Sequence, residues 1–412
     1  MGFQILDGGG VATPAGFQSA GVVAGLKRSG APDLALLHST VPATVAGAFT
    51  TNAFAAAPVR YDQHVLDGGG KVRAVIVNSG NANACTGGQG DRDARTTAEC
   101  VAQLLGVAPG EVLVSSTGRI GVPMPMPVVL NGARLAVAAL AAGDEAGARA
   151  AQAIMTTDTR PKSLAVELVL GGRTVRIGGM AKGAGMIAPA MKLQPPQATM
   201  LAYVATDAAV SRAALDRCVG QALDQSFNRI TVDGDTSTND TLLAFANGCA
   251  GNPVLETDSP EFPEFFAAFA FVLARLAREM VLDGEGVTRF VELNVTGAAS
   301  DAEARTCAEA IANSALCKTA WFGADPNWGR ILCAAGYSGA ALDAARVRLD
   351  YEGVPVVRGG MDAGTPEKQL VEAISRREFR IDLDLGVGPG AFTVWTCDLT
   401  YEYVKINADY HT

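Results

Sequence analysis

Short β-branched runs alternate with helix-like segments along the chain, and this alternation restricts the fold more than any other feature. The runs VRAVIVNSG (72–80) and EVLVSSTG (111–118) predict strands that end in small residues. The segment between them, 93–106, has helical spacing and ends at a glycine. Residues 211–227 and 300–317 have the same helical spacing. We therefore expect strands and helices to be mixed along the chain.

Three further stretches predict strands that lie side by side. LAVELVLGGRTVRIGGMA (164–181) predicts two strands around a Gly171–Gly172 turn. The C-terminal third adds two hairpin-like patterns, VRLDYEGVPVV (347–357) and FRIDLDLGVGPGAFTVWTCDLTYEYV (379–404). Because hairpins favour an antiparallel sheet, the pattern predicts an α+β fold, or a layered α/β/β/α architecture, with a largely antiparallel sheet.

The composition argues against several classes of protein. The 412 residues are 49% hydrophobic and 18% charged, which is typical of a globular chain with two or three packed units. The net charge is −9 and no run of lysine and arginine stands out, which argues against a nucleic-acid partner. The apolar stretch 265–274 is shorter than the roughly 18 residues of a membrane span, and no signal-peptide pattern is visible. We expect a cytoplasmic protein without a membrane partner.

Cysteine and histidine offer little for metal or triad chemistry. The eight cysteines form no C-x-x-C pair, which favours reduced and mostly buried thiols. The three histidines are His38, His64 and His411, too few to favour a histidine triad or a histidine-rich zinc site. A nucleophile in this chain must therefore find its base elsewhere, and we expect no metal.

Several polar stretches are candidates for a site, each with an ordinary structural alternative. Thr117 and Gly118 follow a strand, where glycine lets a backbone N–H turn into a cleft and stabilise an oxyanion. On these residues alone an ordinary strand-to-loop turn is favoured. Thr156, in AIMTTDT, suits a small polar ligand or a solvated helix end. Lys182 precedes a glycine-rich apolar run and suits a carboxylate partner, although exposed lysines are far commoner.

Two loops rich in asparagine, glycine and aspartate are less specific. NSGNANACTGGQGD (78–91) predicts a polar, tightly turned loop that faces a site or only connects two elements. VDGDTSTNDT (232–241) has a D-G-D spacing that resembles part of a calcium loop. It lacks the glycine and the downstream glutamate of an EF-hand, so we predict no calcium site there.

The junction Ala198–Thr199 lies at the head of a strand-like run, after a glycine-rich approach and a Pro-Pro pair. A cut at this junction would give Thr199 a free α-amino group, and the residue would then carry a hydroxyl nucleophile and its base together. The alternative is a plain loop followed by a buried strand in which Thr199 is the first β-branched residue.

Nine stretches, taken together, resemble the ornithine acetyltransferase (glutamate N-acetyltransferase) family of arginine biosynthesis. They occur in the family's order and span nearly the whole chain, so that their combination is specific although each one is weak. The stretches are NSGNANACTG, SSTGRIG, AIMTTDT, GGMAKGAGMIAP, ATMLAYVATDA, DGDTSTNDT, DGEGVTR, KTAWFGADPNWGR and YEYVKINADYHT.

The resemblance implies an N-terminal-nucleophile-like, layered α/β/β/α architecture and a self-cleaving precursor. The cut between Ala198 and Thr199 gives an α segment (1–198) and a β segment (199–412), which includes a smaller C-terminal α/β subdomain at roughly 285–400. The segments stay together as an α2β2 heterotetramer. Thr199 takes the acetyl group from N2-acetyl-L-ornithine and passes it to L-glutamate in ping-pong fashion, without metal or organic cofactor. Some members also use acetyl-CoA as the donor.

The resemblance also implies the residues of the site. Thr199 is the nucleophile, and Thr117 with Gly118 forms the oxyanion hole. Substrate-binding positions are Thr156, Lys182, Thr199, Glu285, Asn407 and Thr412. From charge complementarity, we expect Glu285 to pair with a substrate ammonium and Lys182 with an α-carboxylate.

The chain departs from the family's pattern just before the predicted cut. KLQPPQ (192–197) lengthens this loop, and Ala190 stands where an asparagine is common. The insertion either relaxes the strain that self-cleavage needs or bulges into solvent. We expect the second, because Ala198, Thr199 and the following strand are intact. The alternatives are an amidase or aminopeptidase of the same architecture, an acetyltransferase of secondary metabolism, and an uncut binding protein.

Overall fold

A computed structural model describes residues 2–189, 191 and 200–409. These residues form two compact units. The first contains the described residues up to Asn228 together with Asp235–Met280. The second contains Arg229–Gly234 together with the described residues from Val281 onward. The predicted division into segments 1–198 and 199–412 concerns chain cleavage rather than compactness, and it stays a prediction.

The first unit is built on a mixed sheet. Its described strands run in the order β1-β6-β7-β8-β9-β3-β4-β5, and β2 pairs with β3 off this path. The strands are β1 (Phe3–Leu6), β2 (Phe17–Val22), β3 (Leu34–Phe49), β4 (Val72–Asn81), β5 (Val112–Arg119), β6 (Lys162–Leu170), β7 (Arg173–Lys182), β8 (Leu201–Thr206) and β9 (Thr241–Ala246). The helices are α1 (Ala57–Asp67), α2 (Gly87–Leu105), α3 (Met126–Ala138), α4 (Asp144–Ala153), α5 (Arg212–Asp224) and α6 (Phe262–Leu282).

Strand β4 explains why this sheet lies between apolar layers. Its residues alternate between two buried clusters, with Val75 and Val77 in one and Ala74 and Ile76 in the other. Because successive side chains of a strand point to opposite faces, both faces of the sheet are covered at this strand. The run of apolar residues in VRAVIV is the sequence pattern of such a doubly covered strand.

The second unit has its own sheet, in the order β13-β12-β11-β14-β10-β15 among the described strands. The strands are β10 (Phe290–Ala298), β11 (Arg348–Tyr351), β12 (Val354–Arg358), β13 (Met361–Asp362), β14 (Glu378–Asp384) and β15 (Gly390–Cys397). The helices are α7 (Asp301–Ala312), α8 (Ala315–Phe322), α9 (Trp328–Tyr337), α10 (Glu367–Ile374) and α11 (Tyr401–Asp409). Leu293, Val295, Trp321 and Ile381 belong to its apolar core.

The α+β prediction is confirmed by these two mixed sheets and their helices. The strands predicted at 72–80 and 111–118 correspond to β4 and β5, and the stretch 164–181 forms the antiparallel pair β6 and β7. Most described strand pairs are antiparallel, while β4 with β5, β8 with β9 and β10 with β14 are parallel. Within the described parts of the chain, no helix combines the length and apolarity needed to cross a membrane.

Two predictions of secondary structure were wrong. The helix expected over 300–317 is two helices, α7 and α8, because Ser314 caps the second by accepting a hydrogen bond from the backbone N–H of Cys317. The stretch 379–404 is not a hairpin. Its strands β14 and β15 lie on either side of β10, parallel and antiparallel to it, and its last residues begin α11. A buried central strand from elsewhere in the chain has separated two strands that are adjacent in sequence.

Candidate active site

The ends of β4 and β5 form one wall of the candidate site. These strands are parallel, and Gly80 lies opposite Gly118. Gly118 has a φ of +129°, and a Cβ added to it would lie 2.4 Å from the carbonyl carbon of Gly80. Only glycine allows this conformation and this approach of two backbones. Gly118 is half-buried, and its position at this turn is the one from which we predicted a role in binding an oxyanion.

Lys182 reaches this wall from the end of β7. Its side chain is buried, with 4% of the residue exposed, and its Nζ donates a hydrogen bond to Oγ1 of Thr117 at 3.1 Å. Thr117 is also buried. The two residues are 65 positions apart in sequence, so that only the fold brings them together. This corner of the candidate site, formed by Thr117, Gly118 and Lys182, places a lysine beside a threonine hydroxyl, an arrangement that suits a developing oxyanion or a carboxylate.

Asp158 connects Thr156 to the same corner. One carboxylate oxygen, Oδ2, accepts a hydrogen bond from the backbone N–H of Thr156 at 2.9 Å. The other, Oδ1, accepts from Lys162 Nζ at 2.6 Å and from the backbone N–H of Gly183 at 2.7 Å. Burial would raise the pKa of Asp158, but the charges of Lys162 and Lys182 outweigh it and lower this pKa to about 2. Asp158 is therefore an anion that fixes the loop of Thr156 and the chain beside Lys182.

Asp240 is a second buried carboxyl near Lys182, but its pKa is shifted in the opposite direction from that of Asp158. The residue has no exposed surface, and among the described residues neither carboxylate oxygen has a hydrogen-bond partner. The nearby Thr50 hydroxyl has one proton, which it donates to the carbonyl of Ser237. Burial raises the pKa of Asp240 well above its usual range, and the charge of Lys182 opposes this only in part.

The sheet register aligns the start of β8 with this corner. Lys182 on β7 lies opposite Leu201 on β8, and Leu201 lies opposite Thr241 on β9. The backbone N–H of Thr241 also donates to the carbonyl of Met200 at 2.8 Å. Leu201 is two positions after the predicted nucleophile in sequence. The predicted cleavage residues Ala198 and Thr199, the insertion 192–197 and Ala190 lie outside the described residues.

Two further predicted binding residues lie together in the second unit. Glu285 is buried, with 8% of the residue exposed, and its Oε2 accepts a hydrogen bond from Nδ2 of Asn407 at 2.7 Å. Asn407 lies on α11, and the same Nδ2 donates to the carbonyl of Tyr403 at 3.0 Å, one helical turn earlier. The last described residues, Tyr401–Asp409, thus form a helix, and Asn407 on this helix holds the Glu285 carboxylate. Thr412 lies outside the described residues.

Sequence reasoning did not assign three polar residues of the first unit to the candidate site. Asp158 was visible as the carboxylate of AIMTTDT, but nothing local indicated its bonds to Lys162 and Gly183. Asn239 and Asp240 stand in a stretch first compared with a calcium loop; the usable signal was that they directly precede the buried strand TLLAFA. Across the residues that the structure describes, no group of three or more His, Cys, Asp and Glu is arranged to hold a metal ion.

Comparison with known proteins identifies the family. The sequence profile of the ArgJ family matches residues 18–412. The arginine biosynthesis bifunctional protein ArgJ of Symbiobacterium thermophilum is 50% identical over 410 residues, which cover 98% of this chain and 99% of the relative. The protein of the same name from Geobacter sulfurreducens is 51% identical over 398 residues, or 96% of this chain and 99% of the relative.

A solved structure was also found among similar proteins. The crystal structure of ornithine acetyltransferase from Mycobacterium tuberculosis, complexed with ornithine, is 47% identical, with a TM-score of 0.44. The match covers 46% of this chain and 100% of that one. From the family profile and the two full-length relatives, the chain belongs to the ArgJ family of bifunctional enzymes of arginine biosynthesis, the ornithine acetyltransferase (glutamate N-acetyltransferase) family that its sequence resembles.

Proposed function

We propose that this enzyme transfers an acetyl group from N2-acetyl-L-ornithine to L-glutamate through an acetyl-Thr199 intermediate, after cutting itself between Ala198 and Thr199. The observation that carries the proposal is the contact of Lys182 Nζ with Thr117 Oγ1 at 3.1 Å. Lys182 also lies opposite Leu201, two positions after the proposed nucleophile in sequence. A threonine hydroxyl, a glycine backbone and a buried lysine are thus grouped beside β8, the strand that would follow the proposed cut.

Self-cleavage converts the peptide bond between Ala198 and Thr199 into an ester, and hydrolysis of this ester then gives two separate chain ends. The hydroxyl of Thr199 attacks the carbonyl of Ala198, and the peptide nitrogen leaves as the new α-amine. Water then hydrolyses the ester, which returns the hydroxyl to Thr199 and a carboxylate to Ala198. The mature residue carries a nucleophile and a base without any histidine.

Acetyl transfer follows the same chemistry in two halves. The α-amine takes the proton of the Thr199 hydroxyl as the oxygen attacks the acetyl carbonyl, and ornithine leaves with that proton on its nitrogen. The amine of glutamate then attacks the acetyl ester and regenerates the hydroxyl. In both halves the carbonyl oxygen becomes an oxyanion, which the Thr117 hydroxyl and the Gly118 N–H stabilise. This route needs no cofactor.

We assign the substrate groups bound by Lys182 and Glu285 from charge complementarity. Lys182 pairs with a substrate carboxylate, and Glu285, which Asn407 holds at 2.7 Å, pairs with a substrate ammonium. Thr156 and Thr412 complete the proposed binding set. The two segments remain associated, and we propose an α2β2 assembly in the cytoplasm. The mass of the native particle measures the assembly directly.

The experiment that tests the transfer is ornithine release with and without glutamate. Acetylornithine turnover that depends on glutamate, with one acetylglutamate formed for each ornithine, supports the transferase. Turnover that is unchanged by glutamate and yields acetate identifies an amidase, in which water is the acceptor. Acetyl-CoA is the second donor to test, because its thioester carbonyl offers Thr199 the same electrophile.

A further inference from the structure

Asn239 uses all of its amide hydrogen-bonding groups within the first unit. The residue precedes β9 and is 4% exposed. Its Nδ2 donates to the carbonyl oxygens of Ala82 at 2.6 Å and Ser116 at 2.8 Å. Its Oδ1 accepts from the hydroxyl of Thr238 at 2.6 Å. Two carbonyl acceptors on one side fix which end of the amide is the NH2 group, so that the orientation of Asn239 is determined by its neighbours.

The bond to Ser116 acts on the backbone of the proposed oxyanion hole. The carbonyl of Ser116 and the N–H of Thr117 belong to the same rigid peptide plane, so fixing one fixes the other. The side chain of Ser116 is held separately, because its Oγ donates to Oδ1 of Asn78 at 2.6 Å. Gly118 is fixed by its close approach to Gly80. Asn239 therefore supplies the side-chain bond that orients the peptide entering Thr117.

The bond to Ala82 ties the loop after β4 into the same network. The backbone N–H of Ala82 donates to the carbonyl of Arg119 at 2.9 Å. One amide group of Asn239 thus holds the chain after β4 and the last residues of β5 at a set distance from the start of β9.

The start of β9 is also bonded to the start of β8. Thr241, two residues after Asn239, donates its backbone N–H to the carbonyl of Met200 at 2.8 Å. The short segment from Asn239 to Thr241 is therefore attached at one end to Ser116 and at the other to the chain that leads into β8. No other described side chain donates hydrogen bonds to both Ala82 and Ser116.

We propose that Asn239 is a positioning residue for acyl transfer, which sets the orientation of the Thr117–Gly118 backbone relative to the start of β8. The inference rests on the proposed function for its catalytic meaning. Oxyanion donors must lie within a few tenths of an ångström of the developing charge, and a displacement of about 1 Å costs on the order of 100-fold in rate. The hydrogen bonds of the Asn239 amide go to Thr238, Ala82 and Ser116, so we assign this residue a positioning role and no direct part in the chemistry.

Substitution of Asn239 by aspartate removes the two donated hydrogen bonds and changes the shape of the side chain little. Asn239→Asp places a carboxylate oxygen against the carbonyls of Ala82 and Ser116, where there is no longer a proton to share. Because the oxyanion hole acts on the transition state, we expect kcat to fall about 100-fold while KM for acetylornithine changes less than about threefold. A loss of folded enzyme would also lower the apparent kcat at constant KM, so kcat is calculated per folded molecule, with the folded fraction taken from circular dichroism and gel filtration. A residue that only stabilised the fold would then show a wild-type kcat.

Asn252 offers a matched control in the same unit. It is 7% exposed, its Nδ2 donates to the carbonyls of Pro253 at 2.7 Å and Ala209 at 3.3 Å, and its Oδ1 accepts from the backbone N–H of Ala209 at 2.9 Å. Asn252→Asp removes the same kind of double donor from a loop that carries none of the proposed site residues. We expect Asn252→Asp to lower the thermal midpoint about as much as Asn239→Asp does, while its kcat stays within about threefold of wild type.

Hydrogen exchange separates this inference from the proposed function. We would measure exchange of peptides spanning 112–121 in the Thr199→Ala protein, with and without Asn239→Asp or Asn252→Asp, so that every chain is treated alike whether or not wild type is cut. Faster exchange at 112–121 with Asn239→Asp alone, together with the fall in kcat, supports the proposal. Unchanged exchange, or equal acceleration by both variants, overturns it. A wild-type enzyme without acetyl transfer refutes the proposed function, while exchange still decides whether Asn239 holds the Ser116–Thr117 peptide.

Discussion

The buried ion pair of Asp158 and Lys162 gives the sharpest quantitative prediction. The side chains are 0% and 1% exposed, and Lys162 Nζ lies 2.6 Å from Oδ1 of Asp158. Burial alone would raise the pKa of Asp158, but the charges of Lys162 and Lys182 lower it to about 2, so the carboxylate is ionised at neutral pH and depends on its cationic neighbours. Lys162→Met leaves the carboxylate buried without this partner, a change that costs about 3–5 kcal/mol.

The double variant Asp158→Asn/Lys162→Met tests the reasoning internally. It removes both charges and keeps an amide oxygen that can accept from the backbone N–H of Gly183, so we expect it to be more stable than Lys162→Met alone by at least about 1 kcal/mol. The free energy of unfolding would be measured with urea in the Thr199→Ala background, in which every sample is one covalent chain if our proposal of self-cleavage holds. A loss below about 1 kcal/mol for Lys162→Met, or a double variant less stable than the single one, would refute this account.

Three other predictions concern the turn at β5, a buried acid and the second unit. Gly118→Ala should abolish most activity and lower the thermal midpoint, because its Cβ would meet the Gly80 backbone at 2.4 Å; kcat and thermal melting measure this. The raised pKa of Asp240 means that the folded chain holds a proton that the unfolded chain releases above about pH 4. Stability should therefore fall as pH rises from there towards the folded-state pKa, and Asp240→Asn should flatten this slope in urea unfolding curves. Glu285→Gln should raise KM for acetylornithine about tenfold, and Asn407→Ala should raise it less, as steady-state kinetics would show.

Local sequence patterns predicted which segments form strands better than they predicted which strands pair with one another. The runs at 72–80 and 164–181 carry enough β-branched and alternating residues to predict β4, β6 and β7. The tail at 379–404 contains two good strands and a glycine-rich turn, yet they do not pair with each other. Strand β10 lies between them, where residues such as Leu293 are buried, and no local sequence pattern indicates this position.

The candidate site shows the same division between residue types and contacts. Thr117, Gly118 and Lys182 were proposed from motifs, but their meeting depends on the pairing of β4 with β5 and on the length of β7. Asn239 could not have been selected from sequence, because its value lies in two carbonyls that are 157 and 123 positions away. Buried polar groups take their role from partners that tertiary structure supplies.

The central claim is that Thr199 becomes an N-terminal nucleophile. Intact mass spectrometry of wild type and Thr199→Ala, before and after incubation with acetylornithine in the absence of glutamate, tests it most directly. The account predicts two wild-type fragments that divide before Thr199, with one acetyl group added to the fragment that begins at Thr199, and a single unmodified chain for the variant. An uncut wild-type chain, or an acetyl group on the other fragment, would contradict it.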